Sequence, residues 1–209
     1  MDKKNFIKDF VSEKNMGDGR ESCLMIALEN ARVLNRRDKD GNSFSIDICE
    51  KLDGLIEFES FIGLANYLLI LDMIGVVFTK QKRVGKRIAE VLKKFGNVTC
   101  EKERKAICSL RNCLAHNYGL ADDQNKIKFK FILDNTCNEM IKHSIVDWDG
   151  NYCDKEESTS TTINPRKLID KIEDTYCEVK KQVFAGTLNT NMSVNELESR
   201  FTIKNELIK

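Results

Sequence analysis

A strongly apolar run, FIGLANYLLILDMIGVVF from Phe61 to Phe78, limits what this chain can fold into more than any other stretch. By length it approaches a membrane-spanning helix, which needs roughly 17–25 apolar residues. Asn66 and Asp72 lie inside the run, however, and Glu57 and Glu59 closely precede it. An Asp at the centre of a spanning helix costs about 2.5–3.5 kcal/mol on insertion scales. The run is therefore expected to be a helix buried in a bundle. The apolar pattern extends upstream, so Ser45 to Phe78 reads as one long helix, or as two with a kink near Gly54. Ile48, Leu52, Leu55, Phe58 and Ile62 then turn inward. The bulk of this helix makes it the expected core and a candidate dimer element.

The remaining chain supplies elements to pack around it. Phe6, Ile7, Phe10 and Val11 share one helical face between Asp2 and Glu13, and NMGDG breaks that pattern. Arg20 to Asn35 is a second helix, closed by a loop at about 36–43. Val84 to Phe95 is another, stopped by Gly96-Asn97, after which Thr99 is a candidate N-cap with Glu101 and Glu103 in the first turn. Beyond Leu120 the apolar period falls to two: NKIKFKFIL puts Ile127, Phe129 and Phe131 on one side. Met140–Trp148 and Ser158–Ile163 are expected as partner strands, joined through an Asp149-Gly150-Asn151 turn, with His143 a structural residue of the second strand. Asn164-Pro165 then caps a helix whose stripe is Leu168, Ile169, Ile172, Tyr176, Val179 and Val183, ending at Gly186. Ser193 and Glu196 open a last helix, about 193–208. A chain of 209 residues suits a single domain over 1–209. Its expected class is mainly α, a helical bundle with a small antiparallel β insertion at about 122–163.

Between the third of these helices and the insertion lies CSLRNCLAHNYGL, Cys108 to Leu120. From about Thr99 to Asn117 there is no Gly or Pro, and Ile107, Leu110 and Leu114 recur at helical spacing, so the stretch is an amphipathic helix. Asn112, Ser109 and His116 face away from the apolar side, with Arg104 and Arg111 near its border. Arg111 and His116 are five apart, which on a regular α-helix separates them by roughly 140°. A long Arg side chain can still bend over the small residues Cys108 and Ala115, where another helix can pack closely. Asn112 and His116 form an i, i+4 pair that can orient the ring.

Arg111, Asn112, His116 and Tyr118 spell R-N-x-x-x-H-x-Y. This string resembles the signature of the HEPN superfamily (higher eukaryotes and prokaryotes nucleotide-binding), whose members carry R-x4-6-H, often with Asn after the Arg, near the end of a bundle helix. The resemblance covers one helix directly and the rest through a compatible helical pattern. It implies a HEPN-like bundle, a metal-independent endoribonuclease and a toxin or defence role. It also implies a homodimer in which both copies of Arg111 and His116 build one cleft. In some HEPN toxins with this H-x-Y ending a companion nucleotidyltransferase adenylylates the Tyr, which makes Tyr118 a candidate regulatory modification site.

The chemistry itself asks for few groups. RNA carries its own nucleophile, the 2′-hydroxyl, so cleavage needs an acid or base working near neutral pH and a cation for the developing phosphorane charge. His116 and Arg111 suit those roles, and Asn112 can position the ring or a phosphate oxygen. Basic and acidic residues nearly cancel, 34 against 33, so any RNA-binding surface must be local. Lys80, Lys82, Arg83, Lys86 and Arg87 form the densest positive run and are the candidate RNA contacts, with a solvated helix face as the plain alternative. Eight cysteines without a C-x-x-C pair and only two histidines give a zinc site little support; no cofactor motif is present. Scattered thiols without a signal peptide read as a reduced, cytoplasmic protein. The expected partners are RNA, a second copy, and an antitoxin or nucleotidyltransferase, with no membrane. The rival reading is a non-catalytic helical module that holds a nucleotide or a protein.

Overall fold

Helix α3, Phe61–Phe78, is the hub around which the other helices are set. The computed structural model describes residues 2–16, 19–43, 61–117, 119–123, 126–153 and 157–204. The expected helical stretch from Ser45 to Ser60, including the kink near Gly54, lies outside these residues, as does Tyr118. Phe61–Phe78 is the one helix among the described residues long and apolar enough to cross a membrane, and 56% of it is buried inside the protein. Tyr67, Leu68, Ile70 and Leu71 are wholly enclosed. Helix α2, Cys23–Leu34, packs on one side of α3 and helix α4, Val84–Lys94, on another. Gly63 permits the first approach: a Cβ there would lie 2.2 Å from the Asn35 amide nitrogen.

Helix α1, Lys3–Ser12, buries the four residues that its period singles out, Phe6, Ile7, Phe10 and Val11. The next segment differs from expectation at its start. Arg20–Ser22 is a short strand, β1, and only then does Ser22, as N-cap, accept from Met25 N and open α2. Helix α4 ends at Lys94, and Asn97 takes a left-handed backbone at φ 52° to turn the chain. Helix α5, Glu101–Asn112, follows with Cys100, not Thr99, at the N-cap position.

The insertion carries strands β2, Ala121–Asp122; β3, Phe129–Leu133; β4, Ile141–Lys142; and β5, Thr161–Ile163. Their order is β2-β3-β5-β4. The sheet is mixed and not purely antiparallel: Phe131, Ile132 and Leu133 pair in parallel with Thr161, Thr162 and Ile163, while β2 and β4 sit antiparallel at the two edges. Parallel pairing needs a long connection, and here residues 134–160 supply it, with β4 laid on the far side of β5. The expected second strand is correspondingly short. Phe129 and Phe131 are buried and stacked with centroids 5.5 Å apart, whereas Ile127 falls before β3 and is exposed.

Helix α6, Pro165–Phe184, is capped by Asn164, which accepts from Lys167 N, and ends before Gly186 at φ 72°. It carries Glu173 into the core. Arg32 Nε and Nη2 donate to Glu173 Oε1 and Oε2 at 2.8 and 2.6 Å, and the Tyr67 hydroxyl donates to Oε1 at 2.5 Å. Three helices, α2, α3 and α6, are thereby joined by one carboxylate. Burial and the charge of Glu173 raise the Tyr67 pKa far above its ordinary value, so the hydroxyl remains a donor.

The C-terminal helix is shorter than expected and is packed. Helix α7 spans Val194–Phe201, and Thr202–Lys204 turns into a strand, β6, antiparallel to β1. Leu197 is fully buried, Phe201 lies against Phe10 with centroids 6.2 Å apart, and Arg20 pairs with Glu198.

Because Glu173 accepts three hydrogen bonds from two buried side chains, its removal leaves the Arg32 guanidinium without a counter-charge in the core. Glu173→Ala should lower unfolding free energy by about 3–5 kcal/mol, and Tyr67→Phe by about 1.5–3 kcal/mol. Urea denaturation followed by far-UV circular dichroism measures both, and equal small losses would contradict this account of the core.

Candidate functional site

The motif helix does not continue as a regular α-helix to Asn117. After Asn112 the chain widens into a π-helical turn, Cys113–Asn117, and Gly119 N donates to Cys113 O at 3.3 Å just beyond it. An i→i+5 turn sets residue i+5 over residue i. That single change of winding brings together the two residues that α-helical geometry separates: Arg111 Nη1 lies 3.3 Å from His116 Nε2. Asn112 correspondingly loses its expected partner, since its Oδ1 faces Arg111 Nη1 at 3.4 Å, and no Asn112–His116 hydrogen bond forms among the described residues.

Arg111 and His116 differ in exposure. His116 is exposed, whereas Arg111 is only 8% exposed and lies inside the helix packing, not at its border. A buried guanidinium requires a counter-charge. It comes from Asp72, the one carboxylate in the apolar run, whose Oδ2 is 3.5 Å from Arg111 Nη2. Asp72 Oδ1 accepts from Arg87 Nε at the shorter distance of 2.8 Å, and Arg87 Nη1 donates to Lys82 O at 2.8 Å. Asp72 is thus shared by arginines from α4 and α5. The sequence presents Asp72 only as an argument against a membrane span. A lone carboxylate within an eighteen-residue, mostly apolar run is itself the signal that points to a cation meeting it.

The small residue Cys108 does admit a neighbouring helix, and that helix is α4 of the same chain: Cys108 Sγ donates to Gly85 O at 3.2 Å. Burial pushes the Cys108 thiol up to about 12, and burial followed by the charge of Asp122 does the same for Cys113, so both sulfurs beside the motif stay protonated. Ser109 Oγ donates to the buried Asp122 Oδ2 at 2.6 Å, fastening β2 to the motif helix. Lys80, Lys82, Arg83 and Lys86 are exposed on the loop before α4 and on its first turn, while Arg87 is half-buried and engaged with Asp72. The basic run therefore divides into four solvent-facing cations and one that belongs to the site. His143 lies just past β4, and both of its ring nitrogens are buried without a partner among the described residues. Burial, then the nearby Lys102 charge, lowers its pKa below the usual histidine value.

Among the described residues no group of three or more His, Cys, Asp or Glu is placed to hold a metal ion. No family model, no curated protein and no solved structure matches the chain.

Close approach of α4 to α3 makes the Asp72–Arg87 contact. Gly75 lies one turn beyond Asp72, and a Cβ on it would stand 2.8 Å from Arg87 Cβ and 3.3 Å from the Arg87 backbone carbon. Gly75→Ala should push the helices apart and cost about 1–3 kcal/mol by overpacking. Thermal unfolding checks this, and an unchanged or raised midpoint would contradict the tight crossing.

Proposed function

We propose that this chain is a metal-independent endoribonuclease of HEPN type, acting in the cytoplasm as a toxin or defence effector. The observation that carries the reading is the 3.3 Å approach of Arg111 Nη1 to an exposed His116 Nε2, produced by the π-helical turn within R-N-x-x-x-H-x-Y. Imidazole accepts the proton of the ribose 2′-hydroxyl, whose oxygen attacks the adjacent phosphorus. The bond from phosphorus to the 5′-oxygen breaks, and that oxygen takes up a proton. The guanidinium of Arg111 offsets the charge gathering on the phosphorane oxygens. Products are a 2′,3′-cyclic phosphate and a 5′-hydroxyl. Asn112, whose Oδ1 lies 3.4 Å from Arg111 Nη1, positions the ring or a phosphate oxygen.

One chain offers one histidine at the site, while in-line displacement uses a base and an acid at opposite ends. A second copy related by a two-fold axis supplies the other His116, so the proposed active form is a homodimer with a composite cleft. Lys80, Lys82, Arg83 and Lys86 then serve as the phosphate contacts that a nearly neutral protein needs locally. Tyr118 as a site of adenylylation by a partner nucleotidyltransferase belongs to the same proposal. Free cysteines throughout the described residues are compatible with a reducing compartment.

Two experiments test this. Purified protein incubated with mixed RNAs in chelator should cut them and leave 2′,3′-cyclic ends, and 2′-deoxyribose at the scissile position should block the cut. His116→Ala, at an exposed position, should lose at least about a hundredfold in rate with an unchanged circular dichroism spectrum, within the span usual for a general acid or base. RNA left intact, or full activity in His116→Ala, would favour the rival reading of a binding module. Light scattering at micromolar concentration should give twice the chain mass, and a monomer there would remove the composite cleft.

A further inference from the structure

Resting on that reading, we infer that Asp72 and Arg87 are positioning residues that set how much of Arg111 is available to a substrate phosphate. Three charges meet at one point, two guanidiniums and one carboxylate. Asp72 Oδ1 is held by Arg87 Nε at 2.8 Å, whereas its Oδ2 reaches Arg111 only at 3.5 Å. Ordinary N–H···O hydrogen bonds fall between about 2.7 and 3.2 Å, so the carboxylate is committed to Arg87 and holds Arg111 loosely. The other contacts of Arg111 among the described residues are long as well, 3.4 Å to Asn112 Oδ1 and 3.3 Å to His116 Nε2. Its Nε is buried with no partner among the described residues. Arg111 is therefore a buried cation with unused donors.

A substrate phosphate and Asp72 are rival acceptors for those donors. Arginine forms its strongest pairs when two parallel N–H groups meet two oxygens, and Asp72 does not engage Arg111 in that way while Arg87 occupies it. Arg87 is a brace: it draws off part of the carboxylate's charge and holds its orientation through a second anchor on the Lys82 carbonyl. Without the brace, Asp72 is free to close on Arg111 and withdraw it from phosphate. Without Asp72 as well, the rival is gone. The two substitutions should therefore compensate, which independent structural damage does not do.

The test is a double-mutant cycle on the full-length protein with Arg87→Gln, Asp72→Asn and the pair combined. Binding of a fluorescent 2′-deoxy oligonucleotide, which cannot be cut, is read by anisotropy, and cleavage of RNA is read as KM and kcat. Arg87→Gln should weaken oligonucleotide binding by about tenfold, a typical size for coupling between contacting charges. Asp72→Asn should tighten binding severalfold and lower KM, and the double variant should return to within about threefold of the unmodified protein. Arg87→Lys keeps a positive charge beside Asp72 but cannot make both of the arginine's contacts, so it should weaken binding less than Arg87→Gln does, and circular dichroism of each variant guards against one that merely misfolds. Unchanged binding in Arg87→Gln, or a double variant no better than that single one, overturns the inference while leaving cleavage by the unmodified protein to stand. Oligonucleotide binding and the expected compensation with no cleavage of RNA would instead remove the nuclease reading and keep the rivalry. An unmodified protein that neither binds nor cuts removes both.

Discussion

A single carboxylate in the middle of the most apolar helix governs how the helices around it are set. Asp72 sits where water has little access, and an unpaired charge there would cost several kcal/mol. Arg87 from α4 and Arg111 from α5 answer it. Each pairing fixes a rotation: α4 must present Arg87 to α3, and α5 must present Arg111 to the same point. Gly75 makes the first setting feasible by bringing the α4 backbone close, and Cys108 on Gly85 closes the α4–α5 side of the triangle. The same carboxylate that counts against a membrane span in the sequence also builds the floor of the candidate site.

On that floor the π-helical turn decides what Arg111 can meet. A regular helix through residues 113–117 would carry His116 around the axis and leave Arg111 beside Asn112. The wider turn returns His116 to the Arg111 side. Such turns are weaker than α-helical ones and persist where their surroundings hold them. Here the Gly119 N–H bonded to Cys113 O and the Ser109–Asp122 bond tie the end of the helix to the β insertion. The insertion therefore has a structural part in the site although it contributes no group to the proposed chemistry.

Much of the bundle was legible because its signals are local. Asn164-Pro165, the stripe from Leu168 to Val183 and the Ser193 cap each lie within a few turns, and the structure places them as read. What escaped depends on distant partners. Arg20–Ser22 has the composition of a helix start and becomes a strand because Thr202–Lys204 lies beside it, nearly the whole chain away. The parallel pairing of β3 with β5 follows from the path of residues 134–160, which alternation of apolar residues does not encode. At the site, the R-N-x-x-x-H-x-Y string singles out Arg111, Asn112 and His116 as candidates, but it does not encode their contacts. Those contacts depend on a local change of helical winding and on Asp72, thirty-nine positions upstream of Arg111.

An unpartnered donor does not by itself distinguish Arg111 from the other buried arginines. Arg37 Nε is also buried without a partner among the described residues. Arg37 nevertheless has its remaining donors well placed, with Gly41 O at 2.7 Å and Asp170 Oδ1 at 2.7 Å. Arg32 is closed on Glu173 at 2.6 and 2.8 Å. Both hold their partners at ordinary hydrogen-bond distances. Arg111 has an anion within reach, yet its contacts among the described residues are between 3.3 and 3.5 Å. Leaving buried donors poorly met costs about 1–3 kcal/mol each, and Asp72 could reduce that cost by turning fully toward Arg111 were it not held at 2.8 Å by Arg87. The arrangement keeps a desolvated cation beside an exposed imidazole with donors to spare, which is the electrostatic condition for receiving a phosphate.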